Sequence, residues 1–420
     1  MRGAVRVWLV NQYATPPSHS GGTRHYSLAR ALTTHGIDVE IFAATRNYLT
    51  GELISEPGST SCAGVPFTFL DTGGAPVVGR RSGRLATMFG FRRAFRAAVR
   101  AREPGPDVIV GSTPSPIAAW AASAEARRRG VPFVLEIRDL WPQTLIDLGG
   151  FSRWHPGVLL FGAIERSLYR RADHVVTLLP HAERHIARVC ATPPRTTWIP
   201  NGVDLELARR VRTEPGGRTG VAPHGRFVVM YAGAHGPANA LDAILDAAAL
   251  LERRRPGRFR VDLVGDGHDK DRLRRRVESE GLESVRFLDP VPKAEVYRLL
   301  AGADGLIVNM NPGRLYRSGI SFNKLFDYLA VGRPIVFGTD AANNPVAEAG
   351  AGVTVPANDA AALAAAVEHV ADLSPAERDS IGSRARAFVE EHYDIERLAE
   401  RFAGVLRSVS ASQPAASVPA

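Results

Sequence analysis

The sequence predicts an α/β protein made of two doubly wound, mainly parallel sheets. Strand-length apolar runs alternate with helix-length amphipathic stretches throughout the 420 residues. Several of those runs are nearly continuous Val, Ile, Leu and Phe, as in parallel strands covered on both faces. The alternation lapses once, in the Gly- and Pro-rich "TEPGGRTGVAPHG". A chain of this length exceeds one ordinary domain, so the lapse reads as a linker.

Strands are expected in order at "VRVWLVNQ", "DVEIFAA", "FTFLD", "DVIVGS", "PFVLEIRD", "HVVTLL" and "TTWIP" in the first half. The second half offers "RFVVMYAG", "FRVDLVGDG", "VRFLDP", "GLIVNM", "PIVFG" and "GVTVP". The boundary falls near residues 200–225, giving an N-terminal domain at 1–203 and a C-terminal domain at 204–391. A last helix at 392–407 is expected to cross back onto the N-terminal domain, and the polar tail 408–420 to be disordered. Ligands of such sheets bind beyond the carboxyl ends of the strands, so both domains should present loops to a shared cleft.

Composition narrows the partners. The formal net charge is +9 and the pI about 10.0, which favours phosphate-bearing substrates, anionic membranes or nucleic acid. No nucleic-acid recognition module and no basic run interleaved with stacking aromatics is present, so nucleic acid is not an expected partner. Cys62 and Cys190 lie far apart without a C-x-x-C, as two free thiols in a reducing cytoplasm would. No signal peptide is evident. The longest uncharged stretch, "VIVGSTPSPIAAWAASA", is broken by Pro114 and Pro116 and falls short of a membrane span. A cytoplasmic protein is expected, with peripheral attachment to the inner membrane face as an option.

Several motifs carry chemistry. Gly21 and Gly22 precede a helix whose first turn holds Thr23 and Arg24. There a phosphate can approach backbone N–H groups at the positive helix end, and Arg24 adds a charge-assisted donor. A plain strand-to-helix turn is equally open. "LEIRDLWPQ" ends a buried strand with Arg138 and Asp139, where side chains face the ligand-binding edge. In "VDLVGDGHDKDRLRR", Asp266, Asp269 and Asp271 read as a turn and a helix start rather than a metal site. His181 and His185 stand four apart, but Glu183 is one position late for H-E-x-x-H. Neither a metal nor a cofactor is expected. From Thr72 to Arg102 there are eight arginines and no acid. The helix there either lies on an anionic membrane or turns Met88, Phe91, Phe95 and Val99 into the core.

The most specific stretch is "SGISFNKLFDYLAVGRPIV", residues 318–336. It gives a short loop, a helix start with Lys324 and Asp327 three apart, and a Gly-Arg-Pro turn. Two readings are open: a surface ion pair, or a helix whose N-terminus and Lys324 meet a diphosphate while Asp327 accepts both hydroxyls of a ribose.

In order, "SGGTRHYSLARALTTHG", "PFVLEIRDLWPQ", "IPNGVD", "VVMYAGAHG", "LVGDG", "FLDPVP" and "NKLFDYLAVGRPIV" resemble the retaining GT-B glycosyltransferases of family 4. The nearest branch is the WbuB-like group, which adds acetamido sugars in cell-surface polysaccharide synthesis. The resemblance implies a C-terminal domain that binds a UDP-sugar and an N-terminal domain that binds a hydroxyl acceptor, a glycolipid or a small molecule. It places Asp327 on the donor ribose and Gly22 in the loop near the donor phosphates, with Gly21 beside it as a further candidate. Arg138 and Asp139 match the His-Asp pair beside the donor sugar, and Ser318, Gly319, Ile320 and Ser321 the donor-sugar loop. The chain departs from the pattern at Gly319, where many members carry Glu, and at Arg138, where many carry His. "YAGAHGPANALD" lacks the usual Arg and Lys diphosphate clamp, and Lys324, Arg24 and Arg138 are the candidates to replace it. The expected reaction is metal-independent transfer with retention by front-face attack, a donor phosphate oxygen taking the acceptor's proton. Alternatives are a nucleotide-sugar epimerase on the same scaffold and a non-catalytic relative.

Overall fold

The computed structural model describes residues 4–19, 21–48, 50–73, 81–213 and 225–412. It divides into two compact units. One comprises Met1–Asn201, Ser318–Ser321 and Ile395–Ala420; the other comprises Gly202–Arg317 and Phe322–Asp394. Most of the expected linker (214–224) and of the tail (413–420) lies outside the described residues.

The first unit runs β1 (Val5–Val10), α1 (Arg24–Thr34), β2 (Ile37–Ala44), β3 (Gly58–Cys62), β4 (Val65–Leu70), α2 (Arg81–Val99) and β5 (Val108–Ser112). It continues with α3 (Pro116–Arg129), β6 (Phe133–Ile137), α4 (Gln143–Asp147), α5 (Pro156–Arg171), β7 (His174–Thr177), α6 (Ala182–Val189) and β8 (Thr196–Trp198). The strands lie in the order β3-β4-β2-β1-β5-β6-β7-β8, parallel except for the β3–β4 pair. Strand order reverses between β1 and β5, the place where α/β sheets bind ligands.

Helix α3 shows how the sequence sets these elements. Pro116 occupies its first turn, and Gly130 closes it with φ +67, a left-handed conformation that glycine adopts without strain. Helices α2, α3 and α5 pack side by side on one face of the sheet. Met88, Phe91, Phe95 and Val99 of α2 are all buried, and Phe95 meets Phe42 of β2 edge-on at 5.2 Å. The core reading of that helix face therefore holds.

The second unit runs α7 (Leu205–Thr213), β9 (Phe227–Ala232), α8 (Leu241–Arg254), β10 (Phe259–Val264), α9 (Lys270–Glu280), β11 (Val285–Leu288) and α10 (Lys293–Gly302). It ends with β12 (Gly305–Asn309), α11 (Asn323–Val331), β13 (Ile335–Gly338), α12 (Pro345–Glu348), β14 (Gly352–Val355), α13 (Ala360–Asp372) and α14 (Pro375–His392). The six strands are all parallel in the order β11-β10-β9-β12-β13-β14. This is the doubly wound order, with its switch point between β9 and β12. Helix α15 (Ile395–Ala411) belongs to the first unit, where it packs on α1. It extends four residues into the tail expected to be disordered, because Val405, Leu406 and Val409 are still buried.

Candidate functional site

In the first unit, the predicted residues gather at the carboxyl ends of β1, β5 and β6. Gly21 has φ +130, a backbone reserved for glycine, and a Cβ there would stand 3.1 Å from Thr15 Oγ1. Gly22 lies beneath Arg138: a Cβ on it would be 3.6 Å from the guanidinium. The Arg138 backbone N–H donates to Thr113 Oγ1 at 3.0 Å, and that hydroxyl donates to the Asp139 carbonyl at 3.2 Å. The Arg138 side chain is partly exposed and makes no hydrogen bond or ion pair among the described residues. Asp139 is exposed at the same edge.

Arg24 corrects an expectation. It is 5% exposed, and its Nε donates to Glu136 Oε1 at 3.0 Å. Its other nitrogens donate to the carbonyls of Ile199 and Pro200. This guanidinium ties α1 to β6 and to the loop after β8, so it is not presented to a diphosphate. Sequence reasoning missed the network beneath it. Glu136, fully buried on β6, also accepts from His25 Nε2 at 2.6 Å and Ser112 Oγ at 2.7 Å. Burial alone would raise its pKa, but His25 and Arg24 beside it hold the carboxyl well below the usual range. The His25 tautomer follows from its neighbours. The Tyr13 N–H donates to Asn11 Oδ1, which leaves Asn11 Nδ2 to donate to His25 Nδ1 at 2.8 Å. The proton must then sit on Nε2, facing Glu136. Burial lowers the His25 pKa, in keeping with a neutral ring.

In the second unit, α11 starts at the switch point, and no side chain caps its N-terminus. Lys324 and Asp327 do not pair with each other. The Lys324 stem is partly exposed, but its ammonium donates to Tyr231 Oη at 2.9 Å and to Asn239 Oδ1. It sits 4.6 Å from the Tyr231 ring centroid. No carboxylate lies within ion-pair distance among the described residues. Loss of hydration pulls its pKa from 10.5 down to about 7. Asp327, one turn on, accepts from Tyr297 Oη at 2.6 Å and pairs with Lys293 at 3.1 Å, both on α10. Tyr231, Asn239, Tyr297 and Lys293 were not picked out from the sequence.

Ser318, Gly319 and Ile320 are buried and Ser321 is partly exposed. This segment bonds to first-unit loops: the Ser318 carbonyl accepts from the His181 N–H at 3.0 Å, and Ser321 Oγ from the Asn201 N–H at 2.8 Å. Gly319 has φ +95, so the glutamate common at this position would be strained.

The remaining candidates have structural partners. His185 pairs with Glu165 at 2.7 Å, Asp266 accepts from the Gly267 N–H, and Asp269 and Asp271 sit at the start of α9. Among the described residues, no group of three His, Cys, Asp or Glu side chains is placed to hold a metal. One further residue stands out. His235 is wholly buried and, among the described residues, neither ring nitrogen has a partner in hydrogen-bonding geometry, the Val264 carbonyl being near but not bonded. Burial first, then Lys270, lowers its pKa to about 4, against Asp266 and the Val264 carbonyl.

Residues 21–202 match the Glycosyl transferase 4-like domain, and residues 226–372 match Glycosyl transferases group 1. Among curated relatives, a probable glycosyltransferase, WbjE of Pseudomonas aeruginosa, is 21% identical over 74% of this chain and 77% of its own. Sucrose-phosphate synthase from Thermosynechococcus elongatus superposes with a TM-score of 0.74 at 19% identity, covering 97% of this chain and 100% of that one. Anabaena Alr3699/HepE in complex with UDP-glucose gives a TM-score of 0.64 at 16% identity, covering 96% and 99%.

Proposed function

The chain belongs to the GT-B glycosyltransferases, and on that premise we propose that it is a retaining, metal-independent hexosyltransferase of family 4. It moves an acetamido hexose from a UDP-sugar to the hydroxyl of a lipid-linked sugar or small metabolite. The observation that carries the donor assignment is the Lys324 ammonium, drawn out of water at the start of α11 with no carboxylate partner among the described residues. Such a group gains most from an arriving anion, and a diphosphate supplies one. Asp327 lies one turn further on, its carboxylate oriented by Tyr297 and Lys293. In this reading it takes the ribose hydroxyls. The UDP-glucose complex of a protein with the same fold supports the donor class.

On the first unit, Gly21 and Gly22 leave room for the donor phosphates, and Arg138 supplies the charge above them. Asp139 acts on the donor sugar or on the acceptor proton, and the 318–321 segment contacts the sugar. On the second unit, charge on the departing diphosphate is met by Lys324 and the α11 N-terminus. The acceptor oxygen attacks the anomeric carbon on the face from which the diphosphate leaves and passes its proton to a donor phosphate oxygen. The new glycosidic bond forms on the face where the bond to diphosphate breaks, which gives retention without an enzyme nucleophile. Both family matches favour transfer over the epimerase reading.

A thermal-shift screen of nucleotides and nucleotide sugars tests this. UDP and its sugars should stabilise the wild-type chain, and Asp327→Asn should weaken them by one to two orders of magnitude, the loss of roughly 1.5–3 kcal/mol of charge-assisted bonding. No stabilisation of the wild type by any uridine nucleotide would sink the donor assignment. Inverted product configuration would refute retention. Activity abolished by EDTA and restored by a divalent ion would refute metal independence.

A further inference from the structure

We propose that the α2–α3–α5 side of the first unit docks on the surface of an anionic lipid bilayer. Eight large apolar side chains stand exposed among the described residues, and five belong to this side: Leu85 and Phe89 on α2, and Trp154, Leu159 and Leu160 at the start of α5. Trp154 is 69% exposed and Leu159 54%, unusual for residues of this type on a solvated face.

The topology puts them at one edge. Helices α2, α3 and α5 follow the parallel strands β4, β5 and β6, so all three run back along the sheet and begin at its carboxyl edge. With α3 packed between them, the two apolar groups stand about 20 Å apart, two interhelical spacings. A flat surface can meet both groups at once, whereas a narrow peptide groove cannot.

Charge decides what kind of surface. Arg93, Arg96, Arg153, Arg166, Arg170 and Arg171 are exposed on this side. The carboxylates on these helices are spent internally: Glu125 pairs with Arg128 and Arg129, and Glu165 is buried against Tyr169 and His185. Asp71, Asp139, Asp147 and Glu183 stand at the same edge; Asp71 accepts a hydrogen bond from the Gly73 N–H and Asp147 one from Gln143. A second copy of this chain would bring arginine against arginine. An anionic headgroup layer complements the arginines and also accepts Trp154 and the leucines at its apolar boundary. No helix of the described residues is long and apolar enough to cross a membrane, so attachment of this kind is to the surface.

Co-sedimentation tests the proposal with vesicles of phosphatidylcholine alone or with about one-third phosphatidylglycerol, at low and high salt. The wild-type chain should pellet with the anionic vesicles at low salt and be released by high salt. The triple variant Trp154→Ala, Leu159→Ser, Leu160→Ser should bind at least tenfold more weakly with an unchanged melting temperature. Each arginine near the surface is worth roughly fivefold, so Arg93→Glu with Arg96→Glu should cost at least tenfold. Brominated lipid should quench fluorescence in the wild type and lose that effect in Trp154→Phe. The proposal fails if the wild type ignores anionic vesicles at low salt, or if the triple variant binds as tightly. It fails equally if sedimentation shows the wild type dimerising through this face without binding vesicles. The vesicles carry neither donor nor acceptor, so the outcome is independent of the glycosyl-transfer reading.

Discussion

Lys324 gives a prediction in which ligand binding and stability pull in opposite directions. With its pKa near 7, about half the ammonium is charged at pH 7. A bound diphosphate supplies the missing counter-charge and raises that pKa in the complex. Below pH 7 the lysine is protonated with or without donor, so binding takes up no proton. Above pH 7 each bound donor takes up one proton, and affinity falls about tenfold per pH unit until the pKa of the complex is reached. UDP-glucose is the right titrant because both ends of its diphosphate are esterified. Calorimetry at pH 6 and pH 8.5, in buffers of contrasting ionisation enthalpy, should give proton uptake near zero and near one respectively. For folding the sign reverses. The folded pKa lies below the unfolded one, so the contribution is favourable above 10.5 and is lost as pH falls toward 7. At pH 7 the charged form is disfavoured in the native state by up to about 5 kcal/mol relative to the unfolded chain, net of its bonds to Tyr231 and Asn239. Lys324→Met removes the charge and keeps the stem. It should therefore raise the melting temperature by a few degrees, about 2–4 °C per kcal/mol for a unit of this size, while abolishing tight donor binding. Affinity for UDP-glucose that is flat between pH 6 and 9, without proton uptake, would refute the role given to Lys324.

Three other outcomes are expected. Glu136→Gln breaks a buried ion pair and leaves the Arg24 charge uncompensated, which should cost about 3–5 kcal/mol in urea unfolding. Acid should destabilise the chain before carboxylates titrate. His235, held near pKa 4, contributes stability that is complete above about pH 6.5 and lost as pH falls toward 4, so unfolding free energy should drop by about 2 kcal/mol between pH 7 and 5. His25 adds to the loss with the same sign, and His235→Asn should flatten it. Gly22→Ala places a methyl at ordinary contact distance from Arg138 on unstrained backbone. Its melting temperature should match the wild type while kcat/KM falls at least tenfold, and unchanged turnover would remove Gly22 from the phosphate loop.

Much of the fold was legible because both faces of most strands are covered, which forces continuous apolar runs that can be read without an alignment. Strand β3 was not. "GSTSC" pairs antiparallel at the sheet edge with most of its residues exposed, so burial imposes no pattern on it. The second-unit site was half legible. The start of α11 and its two charged residues stand out, but an i, i+3 spacing says only that two side chains share a face. Here they diverge, Lys324 toward the loop after β9 and Asp327 toward α10. On the β9 side the residue that meets Lys324 is Asn239, a neutral residue in a stretch notable from sequence for lacking Arg and Lys.

The two arginines of the first unit show where residue type stops being informative. Arg24 and Arg138 both follow strands at the ligand-binding edge, and sequence treats them alike. A sign was nevertheless present in "PFVLEIRD": a carboxylate inside a buried strand requires a partner. Glu136 takes Arg24 and His25, residues more than a hundred positions earlier. Their charges then settle the electrostatics of the edge. Arg24 and Glu136 cancel, and His25 is neutral with its proton on Nε2. Arg138 and Asp139 are left as the exposed charges of this edge, and the Arg138 guanidinium makes no ion pair or hydrogen bond among the described residues. Of the three cations that sequence offered as replacements for the diphosphate clamp, Arg24 is therefore spent on the fold. Lys324 and Arg138 remain, one at the switch point of each sheet.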